Sequence, residues 1–138
     1  MSKLKLKIIT PKNIALEKEI DGVTLPSSEG EMTILPRHIN LFAILEEGVV
    51  HYWNGEESEY LAIGGGYVET NGEEVSLLVS RAYGQKGIDE QQTQHAINDA
   101  KERMKGAKTE DARKEISSML RRSVIDAKLL KKKKHHSV

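Results

Sequence analysis

The chain has 138 residues, 21 Lys and Arg against 21 Asp and Glu, one Phe, one Trp and no cysteine. That length gives one core with room for a second small unit, and with 38% hydrophobic residues and so few large rings the core must rest on Ile, Leu, Val and Met. The lack of cysteine excludes disulfides, thiolate metal sites and cysteine nucleophiles, and no apolar run approaches the roughly 20 residues that span a bilayer, so a soluble, unexported protein is expected.

The chain opens with a strand: Leu4, Leu6 and Ile8 alternate with Lys3, Lys5 and Lys7, the period of two that half-buried strands require. Short apolar or alternating runs recur at residues 14–16, 23–25, 32–35, 49–53, 60–63, 67–69 and 75–79, with Gly, Pro, Asn or Ser between them. This spacing predicts a sandwich or barrel. Gly64-Gly65-Gly66 follows a strand, but residues 67–70 are again strand-like, so the helix that a dinucleotide loop needs is missing. The glycines mark a bulge or a close backbone approach instead. Asn71-Gly72 predicts a tight hairpin, since both residues tolerate positive φ.

After Gly84 and Gly87 the period becomes helical. Ala96, Ile97, Ala100 and Met104 form one stripe; Ala112, Ile116, Met119, Leu120, Val124, Ala127 and Leu130 form another. Gly106 ends the first helix, while Thr109 is an N-cap candidate for the second, followed by Glu110 and Asp111 where they complement the helix dipole. The short connection makes the helices antiparallel. Their stripes are thin and rich in Ala, so each helix alone is marginal in water and the pair should be detachable.

The neutral total hides a gradient. Residues 1–87 carry 8 Lys and Arg against 13 Asp and Glu, residues 88–108 carry 4 of each, and residues 109–138 carry 9 against 4. Such a gradient suits an acidic partner surface or plain solvation alike. His135 and His136 end a Lys-Lys-Lys-Lys-His-His run that reads as a solvated tail and not as a metal site. Neither a Ser/His/Asp arrangement, nor a Walker-type phosphate loop, nor a His pair at helical metal spacing occurs. The expectation is a protein that is not an enzyme, with no metal and no cofactor.

Two stretches converge on one family. SEGEMTILPRH, followed by a short apolar run and Gly48-Val49, and AIGGGYVETNGEEVSLLVSRA resemble corresponding segments of the epsilon subunits of bacterial-type F-type ATP synthases. With a helical hairpin beginning at Ile88-Asp89, the resemblance spans essentially the whole chain in the family's order. It implies a mainly β plus α fold: a β-sandwich of about ten strands over residues 1–86, then an antiparallel two-helix hairpin with a basic tail over residues 87–138. It further implies a non-catalytic rotor subunit on the cytoplasmic face of the cell inner membrane, touching the membrane only through its complex. The sandwich would bind the gamma subunit and the c ring, coupling ion translocation to ATP synthesis. The helices would inhibit ATP hydrolysis by reaching transiently among the alpha and beta subunits.

By the same resemblance Glu29, Gly30 and Glu31 face the polar loops of the c ring, with His38 near that interface. Arg113, Lys114, Arg121, Arg122 and Lys128 on the second helix are candidates for docking to acidic segments of alpha and beta subunits. The sequence departs from the family at Thr33 and Arg37, where Gly is usual, and at Asn40, where Pro is common. Some members bind ATP through Ile-Asp-x-x-Arg-Ala and second-helix arginines. Here Asp89 and Arg122 match, but Gln92, Thr93 and Asp126 do not, which removes cations that pair with phosphate. Asp89 with Gln92 reads better as a capping box, so ATP binding and a stand-alone ATP-sensing role are disfavoured. The acidic first part and scarce aromatics likewise argue against nucleic acid as the partner of the basic residues 131–134.

Overall fold

The structure, a computed structural model, describes residues 3–37 and 40–132. The chain divides into two compact units between Tyr83 and Gly84. Among the described residues the first contains ten strands: β1 (Leu4–Ile9), β2 (Ile14–Ile20), β3 (Gly22–Ser27), β4 (Gly30–Ile34), β5 (Leu41–Leu45), β6 (Gly48–Asn54), β7 (Glu57–Ile63), β8 (Gly66–Thr70), β9 (Glu74–Val79) and β10 (Ala82–Tyr83). They form one continuous ladder in the order β10-β7-β6-β3-β5-β8-β9-β1-β2, with β4 on the free side of β3. The ladder folds over on itself as a β-sandwich, as the sequence predicts.

Alternation decides which side chains enter the sandwich. Leu4, Leu6 and Ile8 of β1 are fully buried, while Lys5 and Lys7 face out. Val75, Leu77 and Val79 of β9 are likewise buried, and β1 lies parallel to β9 with Leu6 opposite Val75. Ile20, Val23, Leu25, Val50 and Val68 complete the centre of an aliphatic core, so the scarcity of aromatic residues costs the sandwich nothing in closure. The two halves of the ladder join where β3 and β5 touch: Ser27 pairs with Leu45, and the Ser28 and Glu46 amides donate to the Ile44 and Pro26 carbonyls.

Several strands run further than their apolar patterns. β2 continues through Glu17, Lys18 and Glu19, which are exposed; a sheet's terminal strand tolerates charge on an exposed face, and charge there discourages further pairing. Gly66 explains part of the triple glycine, because a Cβ there would collide with the Leu78 carbonyl. The Asn71-Gly72 hairpin forms, by another route than the expected pair of positive φ angles. Only Gly72 has positive φ, at 91°, whereas the Asn71 side-chain oxygen accepts from the Glu73 and Glu74 amides at 3.0 and 2.9 Å. Asn71 thus acts as an Asx turn.

The second unit holds a 3₁₀ turn at Gln85–Gly87 and two helices, α1 (Glu90–Gly106) and α2 (Glu110–Lys131). Asp89 caps α1 by accepting from the Gln92 amide at 2.9 Å, and Thr109 caps α2 by accepting from the Ala112 amide at 3.1 Å. At the other end of α2 the Gln85 side-chain amide donates to the Leu129 and Lys132 carbonyls, adding a second donor to Leu129, which also accepts from the Lys132 backbone amide. The buried positions are Thr93, Ile97 and Ala100 of α1 and Ile125 and Leu129 of α2. Ala96 of α1 and Met119 and Val124 of α2, all from the expected stripes, are exposed; on α2 the apolar residues crowd toward the C-terminal end and more than one stripe can be drawn through them.

Candidate functional site

The acid-Gly-acid stretch forms the end of the β3–β4 hairpin. Ser27 pairs with Gly30, so Ser28 and Glu29 make the turn. The Ser27 hydroxyl accepts from the Glu29 amide at 3.2 Å and donates to the Gly30 carbonyl, a local side-chain bridge that fixes the turn. Gly30 has φ of 117°, a conformation a side chain would strain. Glu29, Gly30 and Glu31 are all exposed, while Met32 packs on the core. Both carboxylates therefore stand at one solvated tip, with donors to neither from the surrounding backbone among the described hydrogen bonds.

A groove runs beside this tip, lined by residues 27–32 and by Leu41, Phe42, Ala43 and Ile44. A second groove on the other side of Phe42 is lined by Asn40, Glu69, Thr70, Asn71, Glu74 and Ser76. Phe42 and Ile44 are 61% and 53% exposed, and the Phe42 and Tyr67 rings lie 5.1 Å apart. Sequence reasoning left these residues out. Their signal is the unbroken apolar run of β5, which gives an antiparallel strand a second apolar face with nothing of the core to cover it.

The departures from the family pattern have local partners. The Thr33 hydroxyl lies 2.8 Å from that of Thr24 across β3 and β4. Arg37 adopts φ of 67°, and its amide donates to the Gly72 carbonyl at 2.9 Å, so the turn after β4 is tied to the β8–β9 hairpin. His38, the remaining candidate at this interface, lies outside the described residues, as do His135 and His136.

At the far side of the tip, three segments meet in a polar clasp. Asp21 accepts from Lys3 Nζ and from the Gly55 amide, both at 2.5 Å, and Lys3 also donates to the Asn54 side chain at 2.7 Å. The Gly55 amide, then the Lys3 ammonium, hold the Asp21 carboxyl below the usual carboxylate range. This clasp joins the start of β1, the β2–β3 corner and the β6–β7 turn, and it is structural.

In the helical unit Asp89 is engaged as the α1 cap. A small cleft between the helices is lined by Glu90, Thr93, Gln94, Ala127, Leu130 and Lys131; neither Asp89 nor Arg122 lines it, so the two candidate nucleotide residues are not brought together there. Arg113, Lys114, Arg121, Arg122 and Lys128 are all exposed along α2, and the Arg113 Nε donates to the Ala107 carbonyl at 3.2 Å. Among the described residues no group of three or more acidic or His side chains is arranged to hold a metal ion, and no helix is long and apolar enough to cross a membrane.

Residues 3–85 match the family model for the ATP synthase, Delta/Epsilon chain, beta-sandwich domain. The chain belongs to this family. Its relatives include the ATP synthase epsilon chain of Herpetosiphon aurantiacus, 36% identical over 130 residues that cover 93% of this chain and 94% of the relative. The epsilon chain of Sulfurimonas denitrificans is 39% identical over 109 residues, covering 78% and 84%. Among solved structures, a chain of the Euglena gracilis mitochondrial ATP synthase OSCP/F1/c-ring assembly superposes with a TM-score of 0.81 at 19% identity, covering 92% of this chain and 79% of that one, a likeness of fold. Family membership makes the chain a non-catalytic, central-stalk subunit of an ATP synthase, a membrane-associated complex.

Proposed function

We propose that the chain couples ion translocation through the c ring to ATP synthesis, as a rotor subunit held between that ring and the gamma subunit on the cytoplasmic face of the inner membrane. The observation that carries the reading is the exposed hairpin tip. Glu29 and Glu31 flank a glycine whose φ of 117° fixes the turn, and two solvated carboxylates on a rigid hairpin fit Arg or Lys in polar loops of a ring. His38 would lie beside the same interface. In this division of labour residues 1–86 bind the gamma subunit and the ring, while residues 87–138 regulate.

The helical unit is proposed to restrain ATP hydrolysis by docking transiently against acidic segments of alpha and beta subunits. The exposed Arg113, Lys114, Arg121, Arg122 and Lys128 support this, since one charged face on a helix of marginal stability can exchange one environment for another. ATP sensing by the isolated chain is not favoured, because the Asp89 carboxylate is occupied as a cap.

Two changes in the assembled complex test the two halves. Glu29→Arg with Glu31→Arg should leave ATP hydrolysis in place while ATP-driven ion pumping falls by about tenfold, a coupling loss on the scale of one disrupted charged contact. Deleting residues 88–138 should raise hydrolysis; unchanged pumping in the first case, or unchanged hydrolysis in the second, removes that half of the reading.

A further inference from the structure

The chain contains two Asn-Gly pairs, Asn54-Gly55 and Asn71-Gly72, each in a β-hairpin turn. Both glycines take positive φ, 64° at Gly55 and 91° at Gly72. With no Cβ on the following residue, the next backbone nitrogen can approach an asparagine side-chain carbonyl and displace its amide. By sequence alone the two sites stand equal.

At Asn54 the groups such a displacement would use are all held by other segments. The side-chain oxygen accepts from Lys3 Nζ at 2.7 Å, the side-chain nitrogen donates to the Glu19 carbonyl at 3.3 Å, and the Gly55 amide donates to the Asp21 carboxylate at 2.5 Å. The last is a charge-assisted bond, stronger than its neutral counterparts. Asn71 is exposed, and its bonds lie on one side. Its side-chain oxygen accepts from the Glu73 and Glu74 amides at 3.0 and 2.9 Å, whereas its side-chain nitrogen has no partner among the described residues. The Gly72 amide donates to the Thr70 hydroxyl at 3.3 Å, longer than a usual N–H···O bond. Two donors on the carbonyl oxygen, an unheld leaving group and a loosely held nitrogen are the parts of an acyl transfer with a stabilised oxyanion.

We propose that Asn71 is a modification site, converting spontaneously to aspartate and isoaspartate, while the clasp of Lys3 and Asp21 keeps Asn54 an amide. The Gly72 amide loses its proton to water or hydroxide, and its nitrogen forms a bond to the Asn71 side-chain carbonyl carbon. Negative charge gathers on the side-chain oxygen, where the Glu73 and Glu74 amides meet it. The bond to the side-chain nitrogen then breaks, and ammonia leaves with a proton from water. Water opens the resulting succinimide at either carbonyl: attack at the side-chain carbon gives aspartate, and attack at the backbone carbon gives isoaspartate. Nothing is oxidised or reduced. Isoaspartate reroutes the main chain through the side chain, which shifts the Gly72 carbonyl away from the Arg37 amide that donates to it, so conversion at Asn71 loosens the turn after β4. The inference concerns the free chain and does not depend on the proposed coupling role.

The full chain is incubated at mildly alkaline pH, folded in buffer and unfolded in urea, and both sites are followed by peptide mapping for the mass gain of amide-to-acid conversion. In the folded chain Asn71 should convert at least about tenfold faster than Asn54, the scale of one charge-assisted bond. In urea the two rates should converge, since the bonds that separate them are gone. Isoaspartate, resolved from aspartate by retention time, should accumulate at position 71. Asp21→Ala should speed conversion of Asn54 by about tenfold in the folded chain, with the Asn71 rate unchanged and the far-ultraviolet signal showing an intact sheet; Lys3→Ala replaces it where Asp21→Ala does not fold. Equal rates in the folded chain, an Asn71 that stays an amide, or a difference that persists in urea overturns the inference, as does an Asn54 rate that neither substitution raises.

Discussion

The sandwich and the helical pair are held together by different means. Among the described residues fifteen apolar side chains form the sandwich core, none more than 4% exposed, and each contributes on the order of 1.5–3 kcal/mol by leaving water. The helical unit buries Ile97, Ala100, Ile125 and Leu129 with Thr93, and a larger share of its order comes from groups at helix ends: Asp89, Thr109 and Gln85. Packing is lost all at once, whereas caps are lost singly. The proposed division of labour calls for the first kind of stability in the unit held between ring and shaft and the second kind in the unit that exchanges environments.

The contrast can be broken by substitution. Leu77→Ala removes a fully buried side chain and should cost about 3 kcal/mol, read as a lower urea midpoint for the whole sandwich; Ile97→Ala should cost less, about 2 kcal/mol at the lower end for such truncations, and only in the helical signal. Equal losses would show that both units rest on packing. Thr109→Ala should destabilise α2 by about 1 kcal/mol, seen as reduced helicity at 222 nm with the near-ultraviolet signal of Trp53 unchanged. Arg37→Gly works in the opposite direction. Relief of its left-handed conformation, about 1–2 kcal/mol, exceeds the entropy cost of glycine, about 0.5–1 kcal/mol, so a rise of about 0.5 kcal/mol in sandwich stability is expected from thermal unfolding.

The smallest effect concerns pH and sharpens the same comparison. Asp21 has a folded pKa below its unfolded value, so the Lys3–Asp21–Gly55 clasp adds stability at pH above the ordinary carboxylate range. That contribution is lost as pH falls through the folded value. Asp21→Asn should flatten the acid side of the sandwich's stability profile and leave the helical transition where it is.

Strands and helices were legible wherever one face is buried and the other wet. Leu4, Leu6 and Ile8 gave away β1, and Asp89 and Thr109 marked both helix starts correctly. β5 was not read as a strand because Leu-Phe-Ala-Ile-Leu has no alternation, and it has none because both of its faces are apolar. Ile125 and Leu129 were passed over for Met119 and Val124, since the final turns of α2 offer more apolar residues than one stripe can use. Of the candidate site, the acidic tip was reached through the resemblance of Glu29-Gly30-Glu31 to the family's acid-Gly-acid loop, since the three residues alone read equally well as a solvated turn. The difference between Asn54 and Asn71 was not legible, because Asn54 is held by Lys3 and Glu19, which lie far from it in sequence and meet it only once the strands are in place.

The parallel pairing of β1 with β9 has a consequence for the order in which the molecule is made. Leu6 waits for Val75, 69 positions further on, and at about 5–20 residues per second of synthesis the interval is about 3–14 s. Through that time the β1–β2 hairpin has an open edge of apolar and lysine residues, the kind of edge that recruits foreign strands. Lys5 and Lys7 therefore act during synthesis as well as after it: two like charges along one short strand, with Lys3 just before it, make a poor template for another copy emerging nearby.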